Sequence, residues 1–362
     1  MHRLVAIALS GGIDSLVSAA LLKEQGHELI GLHFITSLEM GLKDSPEGEP
    51  PPESWQTLED RAKRFLCPMA DQLRIPLQIV DLRNEFQNLV IDYFTATYQA
   101  GKTPNPCLVC NQSIKFNILF KKARSWGATH LATGHYARVQ PGADGYMHLL
   151  RGVDPVKEQS YFLSRLSQEQ LARAIFPLGA HTKTQTRRMA KERGLHPAVS
   201  QESQDICFIR DGAYGDFLSR QPGFNACPGI IEDLKGKPIG HHNGLHQFTV
   251  GQRRGINCPA AEPYYVVRLD VERNTLVVGP RQSLLTDRFW VSGINWITRC
   301  PKTAIRISVR VRYRHAAIPA TLFPVDDSSA EVRCETPQSA VTPGQGAVFY
   351  DDEEVLGGGW IE

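Results

Sequence analysis

Near the start of the chain, six apolar residues from Leu4 to Leu9 run straight into Ser10-Gly-Gly-Ile-Asp-Ser15. Leu16 to Gln25 then has helical composition and stops at Gly26. An unbroken apolar run of this kind fits a strand covered on both faces, as in a parallel sheet flanked by helices. Leu29 to Ile35 reads as a second strand. Strand, tight turn, helix, strand opens a parallel α/β domain. The basic start ahead of Leu4 imitates a secretory signal, but the apolar run is shorter than such signals require. No stretch reaches the roughly 18 apolar residues of a membrane helix, so a cytoplasmic protein is expected.

The remaining chain changes character twice. Residues 39–60 carry seven acids against Lys43, with prolines at 46, 50, 51 and 52, and read as a solvated surface loop. Ile75–Val80 and Thr129–Thr133 are the clearest later strands of the first part. Beyond about residue 210, Gly and Pro punctuate short β-like runs at 264–269, 275–278, 304–313, 330–334 and 347–350. Boundaries near 210 and 283 follow, dividing the chain into 1–209, 210–282 and 283–362. The mix is 42% hydrophobic and 22% charged, which excludes a disordered chain or a coiled coil. Lys+Arg (40) nearly balances Asp+Glu (38), so a wholly basic nucleic-acid coat protein is excluded but a local basic patch is not.

Gly11 and Gly12 let the backbone approach a ligand, and N–H groups at the following helix start favour an anion. Ser10 and Ser15 add hydroxyl donors. The plainer alternative is a strand–helix turn capped by Ser and Asp. A rival phosphate motif ending in Gly101-Lys102-Thr103 fails, because its first glycine would fall at Ala96 and a proline follows. In Ala132-Thr-Gly-His-Tyr136, Gly134 and His135 follow a predicted strand end, where α/β sheets bind ligands.

Thr103-Pro-Asn-Pro-Cys107-Leu-Val-Cys110-Asn111 is the second strong signal, with Cys207 in Asp205-Ile-Cys-Phe-Ile209 as a third thiol. Eight cysteines are too sparse for a disulfide scaffold. Dithiol chemistry, an iron–sulfur cluster with a free coordination site, and zinc with a non-Cys ligand all fit these residues. Cys67, Cys227, Cys258, Cys300 and Cys334 match no motif and read as structural. His241, His242 and His246 hint at metal, but Gly240 and Gly244 disfavour a helix that would align them.

The Ser10–Ser15 string resembles the phosphate loop of the ATP pyrophosphatases. Together with Thr103-Pro-Asn-Pro, Cys110-Asn111, Ala132–Tyr136, Lys157-Glu-Gln-Ser-Tyr-Phe-Leu163, Asp205–Ile209 and Phe248-Thr-Val-Gly-Gln-Arg-Arg-Gly255, it resembles the tRNA-specific 2-thiouridylases. These enzymes put sulfur on C2 of the anticodon wobble uridine. The resemblance implies an α/β pyrophosphatase-loop N-terminal domain, of the adenine nucleotide alpha hydrolase-like kind, with a parallel sheet. A small central β-rich module and a C-terminal β-barrel would follow. It implies ATP and Mg²⁺, with Ala8, Leu9, Ser10, Gly11, Gly12, Ile13, Asp14, Ser15, Phe34 and Gly134 holding ATP. Asn105, Pro106 and Cys107 would face the target base. Cys207 would carry the incoming persulfide and Cys110 would be its partner thiol. His135, Lys157, Glu158, Gln159, Arg312, Tyr313 and Gln345 would touch tRNA, by resemblance the Lys, Glu and Gln acceptors. A persulfide sulfur-relay protein would be the donor.

Many relatives have Asp where this chain has Cys107. That difference leaves a second sulfur route open, a [4Fe–4S] cluster on Cys107, Cys110 and Cys207. The same phosphate turn also serves 4-thiouridine and cytidine-modifying tRNA enzymes and amide-forming ligases. An inactive tRNA-binding protein is the alternative from another class.

From Ile305 to Arg314 the residues alternate strictly, with Ile305, Ile307, Val309, Val311 and Tyr313 at odd positions. Arg306, Ser308, Arg310, Arg312 and Arg314 then form one outward row on a strand. With no acid between 288 and 325, the row reads as a seat for RNA phosphates. A solvated edge strand defended by charge is the plainer alternative. Lys183, Arg187, Arg188, Lys191 and Arg193 suggest a second patch on a helix.

Overall fold

The computed structural model describes residues 3–36, 55–199, 206–209, 214–259 and 261–362. The acidic, proline-rich stretch therefore lies outside the described residues up to position 54. Its expected end at Asp60 is corrected, because a helix already runs over Trp55–Leu73. By packing, the chain forms two compact units. One comprises Met1–Val90, Cys107–Phe208 and Glu353–Val355, and the other Ile91–Pro106, Ile209–Asp352 and Leu356–Glu362.

The first unit is built on β1 (Leu4–Ala8), α1 (Ile13–Glu24), β2 (Glu28–Ile35), α2 (Trp55–Leu73), β3 (Leu77–Asp81) and β4 (His130–Ala132). A hairpin of β5 (Ala137–Pro141) and β6 (Met147–Arg151) follows, then β7 (Ala174–Ile175). The parallel sheet runs β3-β2-β1-β4-β7. β1 is central, and Val5, Ala6 and Ile7 have no exposed surface, which explains its unbroken apolar sequence. α1 is covered on two sides. Leu16, Ala19 and Leu22 pack with Val5, Ile7 and Leu66, while Val17 packs with Tyr136, Leu178 and Met189. Successive strands extend to one side of β1 as far as β3, and then to the other through β4. The crevice outside the carboxyl ends of β1 and β4 is thus the switch point where such sheets take ligands.

The second unit holds two β modules, save the first two residues of the last strand, which fall in the first unit. One is the sheet β10-β11-β8-β9, made of β8 (Gly229–Glu232), β9 (Pro238–His242), β10 (Tyr265–Asp270) and β11 (Thr275–Gly279). Its core includes Ile231, Phe248, Val266, Leu276 and Val278. The other is a six-stranded barrel of β12 (Leu285–Trp296), β13 (Ile305–Arg310), β14 (Ile318–Pro324), β15 (Ala330–Ser339), β16 (Gly346–Asp351) and β17 (Glu354–Ile361). The order is β12-β15-β14-β13-β16-β17, and β12 closes on β17 through pairs such as Val291 with Ile361. Ile307 and Val309 point into a core shared with Phe289, Leu322, Val332 and Phe349, so the period-two reading of this strand holds.

The plainer alternative fails, and the extent of the strand is corrected. β13 is no edge strand, since it lies between β14 and β16. It also ends at Arg310, and residues 311–315 turn. Among the described residues, no helix is long and apolar enough to cross a membrane.

Candidate functional site

The turn after β1 is shaped by its backbone. Gly11 has φ +89°, a left-handed conformation, and a Cβ there would lie 2.9 Å from the Phe65 ring. Val199 N–H donates to the Gly11 carbonyl at 3.0 Å, which fixes the turn's outer side. Gly134, following β4, approaches so closely that a Cβ would meet the Asp14 carbonyl carbon and Ser15 nitrogen at 3.0 Å. No side chain caps α1. The plain capping alternative is therefore absent, and the positive start of α1 carries no side-chain cap. Ser15 is not the outward donor expected. Its hydroxyl donates to the Gly12 carbonyl at 2.9 Å and accepts from Ser10 N–H at 3.3 Å, so it shapes the turn. Ser10 is exposed. Phe34 lies near the carboxyl end of β2, beside His33, whose Nδ1 is 2.8 Å from the Leu9 carbonyl. Burial holds His33 below its usual range, hence neutral.

Asp14 is not free. Lys183 Nζ donates to both its oxygens at 2.8 Å, and the Tyr136 hydroxyl donates to Oδ1 at 2.8 Å. Lys183 was expected on a surface patch, but it is 6% exposed and turned inward. Of the other members of that patch, Arg193 pairs with Glu24 and Arg188 with Glu192.

Cys107, Cys110 and Cys207 belong to the same unit, and all eight cysteines are free thiols. Burial pushes the Cys110 thiol up to about 11, and Lys115 and Cys107 modify it in opposite directions. Cys107 is raised by burial and eased by Lys115. Cys207 has solvent access on its turn, yet crowding around the thiol still raises it most, and the other two cysteines add to this. Lys115 again opposes. Phe208, 5% exposed, seats that turn edge-on against Phe86 at 5.8 Å.

Lys115 was not foreseen. Cys110–Leu119 is a π-helix. Residues five apart lie on different faces of an α-helix, whereas the wider i→i+5 winding brings Lys115 round toward Cys110. The same cation lies near His135, which burial holds well below its usual range. His135 Nδ1 meets the Thr133 hydroxyl at 2.7 Å. Among the described residues, no three His, Cys, Asp or Glu side chains converge as a metal would require. This applies to the cysteines and to His241, His242 and His246 alike.

In Lys157-Glu-Gln159, Glu158 is buried and Gln159 is fastened to Tyr136. The Gln159 side chain accepts from Tyr136 N–H at 3.1 Å, and Gln159 N–H donates to the Tyr136 carbonyl at 2.9 Å. Lys157 keeps partial exposure.

In the second unit, Gln345 Nε2 donates to the Thr103 and Pro104 carbonyls at 3.1 and 2.9 Å. Thr103 N–H donates to the Pro343 carbonyl at 2.8 Å, and Asn105 N–H donates to the Tyr93 hydroxyl at 3.3 Å. Asn105 is 8% exposed. Arg312 sits in the turn after β13, where Nη2 donates to the Val250 carbonyl at 3.0 Å and to Thr342 Oγ1. It does not continue the outward row. Arg310 donates to the His315 carbonyl at 3.0 Å and stands over the Tyr313 ring, while Arg306 is exposed.

A parallel sheet with an open glycine turn at its switch point, followed by two β modules, defines a HUP-type nucleotide domain with β-barrel appendages. Family models agree in order. Residues 3–211 match a tRNA methyl transferase HUP domain, 215–280 a tRNA methyl transferase PRC-barrel domain, and 286–361 an aminomethyltransferase β-barrel domain. The chain is 49% identical over 360 residues to the tRNA-specific 2-thiouridylase MnmA of Geotalea uraniireducens, covering 99% of this chain and 94% of that protein. It is 50% identical to the protein of the same name in Desulfosudis oleivorans, with coverage of 99% and 94%. The one in Chloroflexus aurantiacus is 44% identical, with 99% and 98% covered. The chain belongs to the tRNA-specific 2-thiouridylase family.

Proposed function

We propose that this protein is an ATP-dependent tRNA-uridine 2-sulfurtransferase that converts the wobble uridine, U34, to 2-thiouridine. The observation that carries the reading is the pairing, within one unit, of a glycine turn at the sheet's switch point with three free thiols, each eased toward its thiolate by Lys115. A pyrimidine C2 oxygen is a poor leaving group, and adenylating it makes AMP the leaving group. Ala8–Ser15, Phe34 and Gly134 would hold ATP, which suits a turn with no Cβ in the way. Mg²⁺, when bound with ATP, neutralises phosphate charge.

The terminal sulfur of a Cys207 persulfide attacks C2 and AMP departs. The Cys110 thiolate then attacks Cys207 Sγ. The S–S bond breaks, its electron pair leaves with the sulfur on C2, and a Cys110–Cys207 disulfide remains. A dithiol supplies two electrons and two protons to reset the pair. Lys115 favours each thiolate as it forms, and the neutral imidazole of His135 adds no competing charge.

The reading carries a three-part division at 1–209, 210–282 and 283–362. Asn105, Pro106 and Cys107 would face the base. His135, Lys157, Glu158, Gln159, Arg312, Tyr313 and Gln345 would form the tRNA side. Lys, Glu and Gln tRNAs are the expected acceptors, and a persulfide relay protein the donor. The described thiols do not converge as a [4Fe–4S] cluster would need, so no step is assigned to one. The test is anaerobic, iron-free protein given tRNA, ATP, Mg²⁺, a persulfide donor and a dithiol, with nucleosides read by mass spectrometry. 2-Thiouridine is expected, with part of the activity kept by Cys107→Ala. Activity that appears only after iron–sulfur reconstitution and vanishes in Cys107→Ala overturns the persulfide route.

A further inference from the structure

Asp14 and Lys183 are 169 positions apart in sequence and joined in the fold. Asp14 stands in the first turn of α1, yet it does not cap that helix. A carboxylate there is ordinarily drawn to the positive helix start and its unsatisfied N–H groups. In that position it would occupy the place of a phosphate. Here it is drawn the other way, by the Lys183 ammonium on both oxygens and by the Tyr136 hydroxyl on one, each at 2.8 Å.

The ammonium is itself held in place. Lys183 opens the helix Lys183–Glu192, whose N-cap Thr182 forms a capping box with Gln185. Its backbone N–H donates to Asp154 Oδ2 at 2.8 Å. The Tyr136 hydroxyl lies 3.0 Å from Thr186 Oγ1 on the same helix. Lysine is rarely buried to this degree unless paired. A buried ion pair is also a poor device for stability alone, because two apolar side chains fill the same space without the desolvation cost.

We propose that Lys183 is a positioning residue of the phosphate turn: its buried ammonium cancels and withdraws the Asp14 carboxylate, leaving the N–H groups of the turn to a triphosphate. The proposal rests on the ATP reading of the turn. It differs from a direct lysine–phosphate contact, because Asp14 is the group on which Lys183 acts.

Calorimetric binding of α,β-methylene-ATP with Mg²⁺ to the full chain, beside thermal melting, tests it without turnover. Lys183→Met leaves an uncompensated anion at the helix start and should weaken binding by about tenfold or more. Asp14→Asn added to Lys183→Met should bring affinity back to within about threefold of wild type. Tyr136→Phe, a milder change, should weaken binding about two- to threefold. This variant and the double variant still report if Lys183→Met alone fails to fold. The proposal is overturned if Lys183→Met binds like wild type, or if the double variant melts normally and stays as weak as Lys183→Met. A wild-type chain that binds no nucleotide sinks the ATP reading itself, which is a separate result.

Discussion

The phosphate turn and the arginine-bearing segment of the barrel are both short strings with a clear pattern, and the fold treats them differently. At the turn, the proposed function lies in the backbone: two glycines, an uncapped helix start and a neighbouring Gly134. The shape of the turn itself is set within β1 and the start of α1, and residues distant in sequence, such as Gly134 and Lys183, only adjoin it. In the barrel, the proposed function lies in side-chain direction along a strand. The strand stops at Arg310, and two residues later Arg312 reaches the Val250 carbonyl and Thr342 instead of joining a row. Backbone-encoded sites are local, whereas a side-chain row depends on where tertiary packing ends the element.

The largest expected effect tests the local end of that contrast. Asp14→Ala removes the carboxylate that takes two donations from the buried ammonium of Lys183 and should abolish tRNA-dependent pyrophosphate release. It should also cost on the order of 2–3 kcal/mol of stability in denaturant unfolding, less than for a dry pair because the Asp14 side chain is 31% exposed. Undiminished pyrophosphate release would remove this turn from the reaction.

Next come the thiols. Cys110→Ser and Cys207→Ser should each abolish 2-thiouridine while sparing pyrophosphate release, scored on the same samples. Because burial raises Cys110 to about 11, its thiol is protonated at neutral pH. Iodoacetamide labelling mapped to Cys110 should therefore climb steadily as pH rises from 7 to 10. Lys115→Gln should lower labelling at every pH, since the lysine favours the thiolate. A labelling plateau by pH 8 contradicts the buried-thiol description.

A smaller effect separates two arginines. Arg306→Ala, at an exposed position, should reduce the salt slope of tRNA binding by about one unit without shifting the unfolding midpoint. Arg312→Ala should destabilise by about 1–2 kcal/mol, because the Val250 carbonyl and the buried Thr342 hydroxyl lose its donation. Equal salt slopes and equal midpoints for the two would erase the distinction drawn here.

The smallest concerns Gln345→Ala. Losing two amide donations to Thr103 and Pro104 should cost about 1 kcal/mol and lower the turnover of tRNA thiolation more than tRNA affinity. A change in affinity alone would make Gln345 an RNA contact and nothing more.

Sequence alone was enough for β1, the glycine turn and α1 as elements of the fold, because hydrophobic run length and glycine chemistry act within about twenty residues. It was also enough for the inward apolar set of β13, since a strand's period of two requires no partner to be known. It could not show that Lys183 leaves its helical patch for Asp14, because that pairing closes across 169 positions. Nor could it show Lys115 brought toward Cys110, since π-helical winding has no composition of its own. Spacing likewise does not reveal that Gln345 grips the Thr103–Pro104 backbone, or that the arginine row ends at Arg310. Those were decided by the tertiary structure, because the direction of a polar side chain is set by which buried charge or carbonyl lacks a partner, and only the assembled fold determines where those groups lie.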